Sequence, residues 1–204
     1  MQYFDLSHTF KEQMPVFPGD GIAELKQVAF IDENGYNSYC LQTGMHVGTH
    51  IDAPFHMTEN GSKLSEISVE HFFGCGKIVD ARDAKIIGVE FLQNKKLESG
   101  DILFVCTGHS KKYGFESYYT DFPVIDLDFG NYVVEKGIKI IGFDSPGPDD
   151  APYDLHKLFF KNNILIIENL TGLEQLLAYD FFEVIVLPAK FESAGAPVRV
   201  VARL

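Results

Sequence analysis

Residues 45–57, MHVGTHIDAPFHM, hold three of the chain's seven histidines together with an aspartate. His46, His50, Asp52 and His56 are separated by four, two and four positions, so all four share one parity. On an extended backbone they fall on one face with Gly48 and Pro54. Met45, Val47, Thr49, Ile51, Ala53 and Phe55, nearly all apolar, fall on the other. One side can pack while the other presents nitrogen and oxygen donors. A helix fits less well, because it turns Asp52 about 200° away from His50 and because Pro54 opposes it. A straight strand fails for another reason. Four residues span roughly 13 Å, too far for two imidazoles to meet one ion at about 2.1 Å. The backbone must therefore bend between His46 and His50, and Gly48 sits midway to allow it. Pro54 then turns the chain ahead of His56. Two histidines and an aspartate suit Zn, Mn, Fe or Ni. No HExxH occurs, which excludes a zincin helix.

Further donors are harder to read. Glu168 ends the apolar run ILIIE and shares parity with Ile164 and Ile166. A carboxylate on a core-facing side is costly unless a cation, an Arg or Lys partner, or backbone donors meet it. His156 lies in DLHKLFF and reads as a half-exposed helical histidine. His8, His71 and His109 read as structural residues in or beside loops.

The totals bound the rest. A chain of 204 residues is expected to form one domain spanning 1–204. Its 18 Phe and 9 Tyr, with no Trp, point to a Phe-rich core. The net charge of −12 argues against nucleic acid and against anionic lipid as partners. Three cysteines without a CxxC argue against a disulfide framework and a thiolate zinc site. No signal peptide is visible and no apolar run is long enough to span a membrane, so the cytoplasm is the expected location.

The elements that must carry these residues follow from pattern. ELKQVAFI and YNSYCLQTGMHV read as two strands joined by a DENG turn. KIVDA, DILFVCTG, IKIIGFDS, ILIIEN and FFEVIVLPAK read as strands, and APVRVVARL as one final strand. GVEFLQNKK, the end of DFPVIDLDFGNYVVEKG, DLHKLFFKNN and GLEQLLAY read as helices. Gly137 is the expected stop of the second, and Leu155, Leu158 and Phe159 form the apolar face of the third. Strands dominate the first half and alternate with helices in the second, which predicts a mixed α/β fold with a mostly buried sheet.

The stretch HVGTHIDAPFH resembles the HxGTHxDxPxH motif of the cyclase-like metal-dependent hydrolases, a family that includes bacterial kynurenine formamidase (arylformamidase) and isatin hydrolase. The likeness runs along nearly the whole chain. YFDLSHTFKEQMPVFPGD is similar to the family's N-terminal segment. HKLFFKNNILIIENLTGL is similar to a later one, with a histidine and a glutamate twelve residues apart, and AGAPVRVVA to the C-terminal strand.

The resemblance implies a swivelling β/β/α cyclase-like fold and two divalent metal ions, zinc or manganese. It implies that His46, His50 and Asp52 bind the first metal, that Asp52 reaches the second, that His156 binds the second, and that Glu168 lies between both. His56 is implied as the catalytic acid/base. A small amide is the implied substrate, N-formylkynurenine above all, in a homodimer or larger homo-oligomer. One position departs from the kynurenine formamidases: Phe17 stands where they carry a pocket Trp just before PGD. Phe17 can still stack on an aryl ring. A cyclic amide such as isatin, or a lactone, is the alternative substrate, and a metal-binding protein without turnover is the alternative of another class.

Overall fold

The computed structural model describes all 204 residues. The chain starts with β1 (Tyr3–Asp5), then a hairpin of β2 (Glu24–Ala29) and β3 (Ser38–Gln42). The hairpin is not closed by a tight turn. A single helical turn, α1 (Ile31–Asn34), occupies the link, and Gly35 at φ 78° ends it. The second strand of the hairpin also stops at Gln42, short of Val47.

Next come β4 (His50–Asp52), β5 (Phe73–Asp80), β6 (Ile86–Ile87), β7 (Ile102–Cys106) and β8 (Val124–Ile125). The second half follows the expected alternation: α2 (Leu127–Glu135), β9 (Ile140–Phe143), α3 (Asp154–Lys161), β10 (Leu165–Glu168) and β11 (Phe182–Val186). Gly137, at φ 68°, lies just past α2. The helices expected at GVEFLQNKK and GLEQLLAY are only 3-10 turns, at Val89–Leu92 and Leu173–Leu176. The expected final strand is two, β12 (Gly195–Pro197) and β13 (Val200–Arg203).

Nine strands form one mixed sheet in the order β1-β13-β11-β5-β7-β9-β10-β4-β12. β5, β7, β9 and β10 run parallel, and β4 lies antiparallel to β10. β12 is at one end of this order and β13 is second from the other, yet only Val198 and Arg199 separate them. The three Cα steps from Pro197 to Val200 reach about 10 Å at most, so the sheet has to curl until its ends approach. A bridge between Ser7 and Leu170 and the Thr171 N–H to Leu6 carbonyl bond cross the same closure.

The curl has two apolar faces, read off alternate residues of one strand. Ile102, Phe104 and Cys106 join Phe182, Val184, Ile167 and Leu170 in one cluster. Leu103 and Val105 join Phe129 and Val133 of α2 and Leu155, Phe159 and Phe160 of α3 in another. α3 also packs on β10 and on the turn at Pro54–His56 that follows β4. No helix is long and apolar enough to cross a membrane.

Candidate metal centre

The sheet itself brings the donors together. His50 and Asp52 are two apart on β4 and so share a face. Glu168 on β10 is the direct cross-strand partner of His50. On the other side of β4, Gly195 is the partner of Asp52. Having no side chain, Gly195 leaves room there: a Cβ on it would lie 2.8 Å from Asp52 Oδ1 and 2.8 Å from His46 Cε1.

His46 reaches the same place because the chain bends, as the spacing requires. Residues 46–49 are not strand, and Gly48 has φ 65°, a conformation that glycine adopts without strain. Pro54 then opens a 3-10 turn, Pro54–His56, that brings His56 back over His46, ring centroids 4.0 Å apart. The opposite face packs as expected in Val47, Ile51 and Ala53, all buried. Phe55 does not, and lies exposed. His156 arrives from the first turn of α3, its Nε2 3.1 Å from Glu168 Oε1.

Two donor groups result, His46–His50–Asp52 and Asp52–His156–Glu168, with Asp52 common to both. Within each, the ligand atoms lie within 4.8 Å of one another. His50, Asp52, His156 and Glu168 are buried and His46 is half-buried.

The fit to a cation is tested at His50. Its Nδ1 lies 2.8 Å from the Gly48 carbonyl oxygen, so Nδ1 carries a proton and donates. Nε2 lies 3.3 Å from Glu168 Oε2 and 3.5 Å from Asp52 Oδ1, in line with neither, and is buried without a hydrogen-bond partner. A buried orphan nitrogen beside two carboxylates is costly. A divalent cation among these donors removes that cost, and the nitrogen-and-carboxylate set suits one.

Charge tells the same story. Burial opposes a positive His50, yet the Asp52 and Glu168 carboxylates outweigh it and hold its pKa well above the ordinary 6.5. Burial likewise opposes His156, but Asp149 and Glu168 push its pKa up to about 9. Burial opposes ionisation of Asp52, and His50 and His46 nevertheless hold its carboxyl well below the usual range. Glu168 is lowered too, its burial outweighed by His156 and His50. Both carboxylates are thus ionised at neutral pH, and the centre draws positive charge.

Above the donors lies a cavity of about 260 Å³. It is lined by all seven residues singled out in the sequence: His46, His50, Asp52, His56, His156, Glu168 and Phe17. Tyr119 and Phe122 add to its aromatic wall, and the Phe17 and Tyr119 rings meet edge to face at 5.7 Å. Burial lowers the pKa of His56 below 6.5. His8, His71 and His109 stay outside the cavity, as expected of structural residues.

A profile of the family described as "Putative cyclase" matches residues 4–150. The chain belongs to the cyclase family. Among curated proteins it is similar to kynurenine formamidase of Bacillus mycoides (strain KBAB4), 33% identical over 99% of this chain and 97% of that one. It is similar to kynurenine formamidase of Bacillus anthracis at 32%, with the same coverage. Solved cyclase-like structures superpose closely. An isatin hydrolase bound to the product analogue thioisatinate gives a TM-score of 0.90 at 18% identity, over 98% of this chain and 91% of that one. A predicted metal-dependent hydrolase from Bacillus stearothermophilus gives 0.82 at 25% identity, over 98% and 97%.

Several residues of this cyclase-family site escaped the sequence reading, Tyr119 and Phe122 of its aromatic wall among them. Asp149 bonds His156 through Nδ1 and accepts the Leu155 N–H at 2.7 Å, fixing both ring and helix. Asn169 lines the cavity beside Glu168. Asp149 sits in PGPDDAPY, a loop without periodicity. Only its acidic type, seven residues before His156, could have signalled it.

Proposed function

We propose that this chain is a metal-dependent amide hydrolase of the arylformamidase type, converting N-formylkynurenine to kynurenine and formate. The observation that carries the reading is the convergence of five nitrogen and carboxylate donors at the floor of an aromatic-walled cavity, with His56 beside them. The likeness to kynurenine formamidases over the full chain supports the substrate.

His46, His50 and Asp52 would hold one divalent ion, and Asp52, His156 and Glu168 a second, zinc or manganese being suited to such donors. Ions held there supply Lewis acidity, which polarises a carbonyl and lowers the pKa of water. The chain's own residues do the rest. Phe17, Tyr119 and Phe122 bind the aryl ring and keep solvent from the scissile amide. Because burial keeps His56 neutral at pH 7, a His56 ring nitrogen can accept a proton from the attacking water. The same nitrogen then returns it to the departing anilide nitrogen. Asp149 holds the His156 ring in place while this happens. No Lys or Arg lines the cavity, whereas Asp20 and Asp150 do, so the rim matches a substrate's ammonium group better than its carboxylate.

We further propose that residues 1–204 act as one domain, with β1 and β13 pairing the two ends of the chain. Its three free thiols suit the cytoplasm. Self-association into a homodimer or larger oligomer fits the exposed apolar residues Val28, Tyr39 and Leu41 of the β2–β3 hairpin.

The test is a substrate panel on metal-loaded protein: N-formylkynurenine, isatin and an aryl lactone. N-formylkynurenine should be hydrolysed fastest. Turnover of isatin alone would move the reading to cyclic amides, and turnover of none would refute the hydrolase.

A further inference from the structure

The His50 ring is held by one backbone oxygen, and a second side chain holds that oxygen. Asn169 Nδ2 donates to the Gly48 carbonyl at 2.9 Å, the same oxygen that accepts His50 Nδ1–H at 2.8 Å. Both lone pairs of that carbonyl are therefore used. The Asn169 amide has no freedom to flip. The Gly48 carbonyl can only accept, so Nδ2 faces it, and Oδ1 on the other side accepts the Tyr118 hydroxyl at 2.7 Å. Tyr118 is fully buried, and its own carbonyl accepts a hydrogen bond from His109 Nε2 at 2.9 Å. The Asn169 backbone is tied as well. Its carbonyl accepts the Thr49 hydroxyl at 2.6 Å, and Thr49 Oγ1 in turn accepts the His8 N–H at 2.9 Å. Asn169 has φ 56°, a left-handed conformation that Asn tolerates better than most residues.

We propose that Asn169 is a positioning residue for the metal centre. By clamping the Gly48 carbonyl it fixes the His50 ring with Nε2 toward Asp52 and Glu168, and Tyr118 fixes the amide that does so. The proposal rests on the reading of His50 as a metal ligand. Gly48 takes a left-handed conformation at φ 65°, one that glycine enters and leaves without steric cost, so a second anchor on its carbonyl keeps His50 aimed. Asn169 supplies it from the residue next to Glu168, which couples the position of one ligand to the position of another.

The experiment is a chelator-competition isotherm for Mn²⁺ and Zn²⁺ on wild type, Asn169→Asp, Tyr118→Phe, His50→Ala and the His50→Ala/Asn169→Asp pair, with melting of each metal-free protein alongside. Asn169→Asp replaces the donor by an acceptor and retains tolerance of the left-handed backbone. It should weaken metal binding by about 10- to 100-fold, the usual effect of losing a residue that orients a ligand. Tyr118→Phe should weaken it by about 2- to 10-fold, the worth of one hydrogen bond. In the His50→Ala background the Asn169 effect should disappear, because Asn169 acts through His50. Equal losses in both backgrounds, or lowered melting with wild-type metal affinity, would overturn the positioning role. Wild-type protein that takes up no metal would overturn the metal-centre reading along with it.

Discussion

A single methyl group placed at residue 195 probes the metal centre without removing any donor. Gly195 is the β12 partner of Asp52. Its backbone is outside the left-handed region, so Gly195→Ala brings contact without backbone strain. The added Cβ would sit 2.8 Å from Asp52 Oδ1 and His46 Cε1 and 3.0 Å from the Ile51 carbonyl oxygen. Ordinary contact begins at 3.4 Å, so the first two are short by 3.4 − 2.8 = 0.6 Å. The Ile51 oxygen is held in the sheet, and relief has to come from the carboxylate and the imidazole. A site of this kind tolerates displacements of about 0.5 Å. Metal affinity should therefore fall by about 10- to 100-fold, with turnover falling in step. Overpacking costs about 1–3 kcal/mol, so the metal-free protein should melt about 2–12 °C lower. Chelator competition reads the first quantity and calorimetry of the metal-free protein the second. Gly195→Ala with wild-type affinity and wild-type turnover would refute the placement of Asp52 and His46 at the ion.

Other perturbations separate the roles of neighbouring residues. Asp52→Ala removes the carboxylate common to both donor groups, and should abolish metal uptake in dialysis and turnover together. His56→Ala should retain the metal while kcat falls by about 10²- to 10⁴-fold; loss of metal as complete as in Asp52→Ala would contradict the proton-transfer role. Phe17→Ala removes a ring from the aromatic wall, and KM should rise by about 2- to 12-fold, the worth of an aromatic contact, with kcat little changed. The fold should also weaken in mild acid through His8, which stacks on Tyr113 at 3.9 Å and whose burial lowers its pKa to about 4. Below about pH 6.5 the unfolded chain takes up a proton that the folded protein refuses. Stability should drop from pH 6.5 toward 4, and His8→Gln should flatten that part of a thermal-scan profile; an unchanged slope would exclude His8 as its source.

The convergence of donors in residues 46–56 was legible in the sequence because it is local. Spacings of four, two and four, an apolar opposite face, and Gly48 and Pro54 at the bends determined most of what residues 46–56 do. The strand is nevertheless shorter than parity alone suggests. Only His50–Asp52 is extended, and His46 and His56 reach the cavity from the bend and the 3-10 turn on either side. Glu168 could be flagged by its cost in a core strand, and His156 only by resemblance, since their meeting depends on β10 lying beside β4. Tyr118 and Asn169 were invisible for the same reason, being 51 residues apart in sequence and 2.7 Å apart in the fold. The split of APVRVVARL into β12 and β13 was hidden because nothing local announces that the sheet closes on itself. The segment's β-rich composition is the same whether it forms one strand or two on opposite ends of the strand order.

The proposed hydrolysis requires that the donors of this cavity hold divalent metal. The direct measurement is a titration of chelator-stripped protein with Mn²⁺ or Zn²⁺, following bound ions per chain and N-formylkynurenine hydrolysis on the same samples. Stripped protein should show no hydrolysis, and activity should rise with uptake to about two ions per chain, as a two-metal centre requires. Undiminished hydrolysis in the stripped protein, or saturating uptake with no dependence of turnover on it, would contradict metal-dependent catalysis at this site.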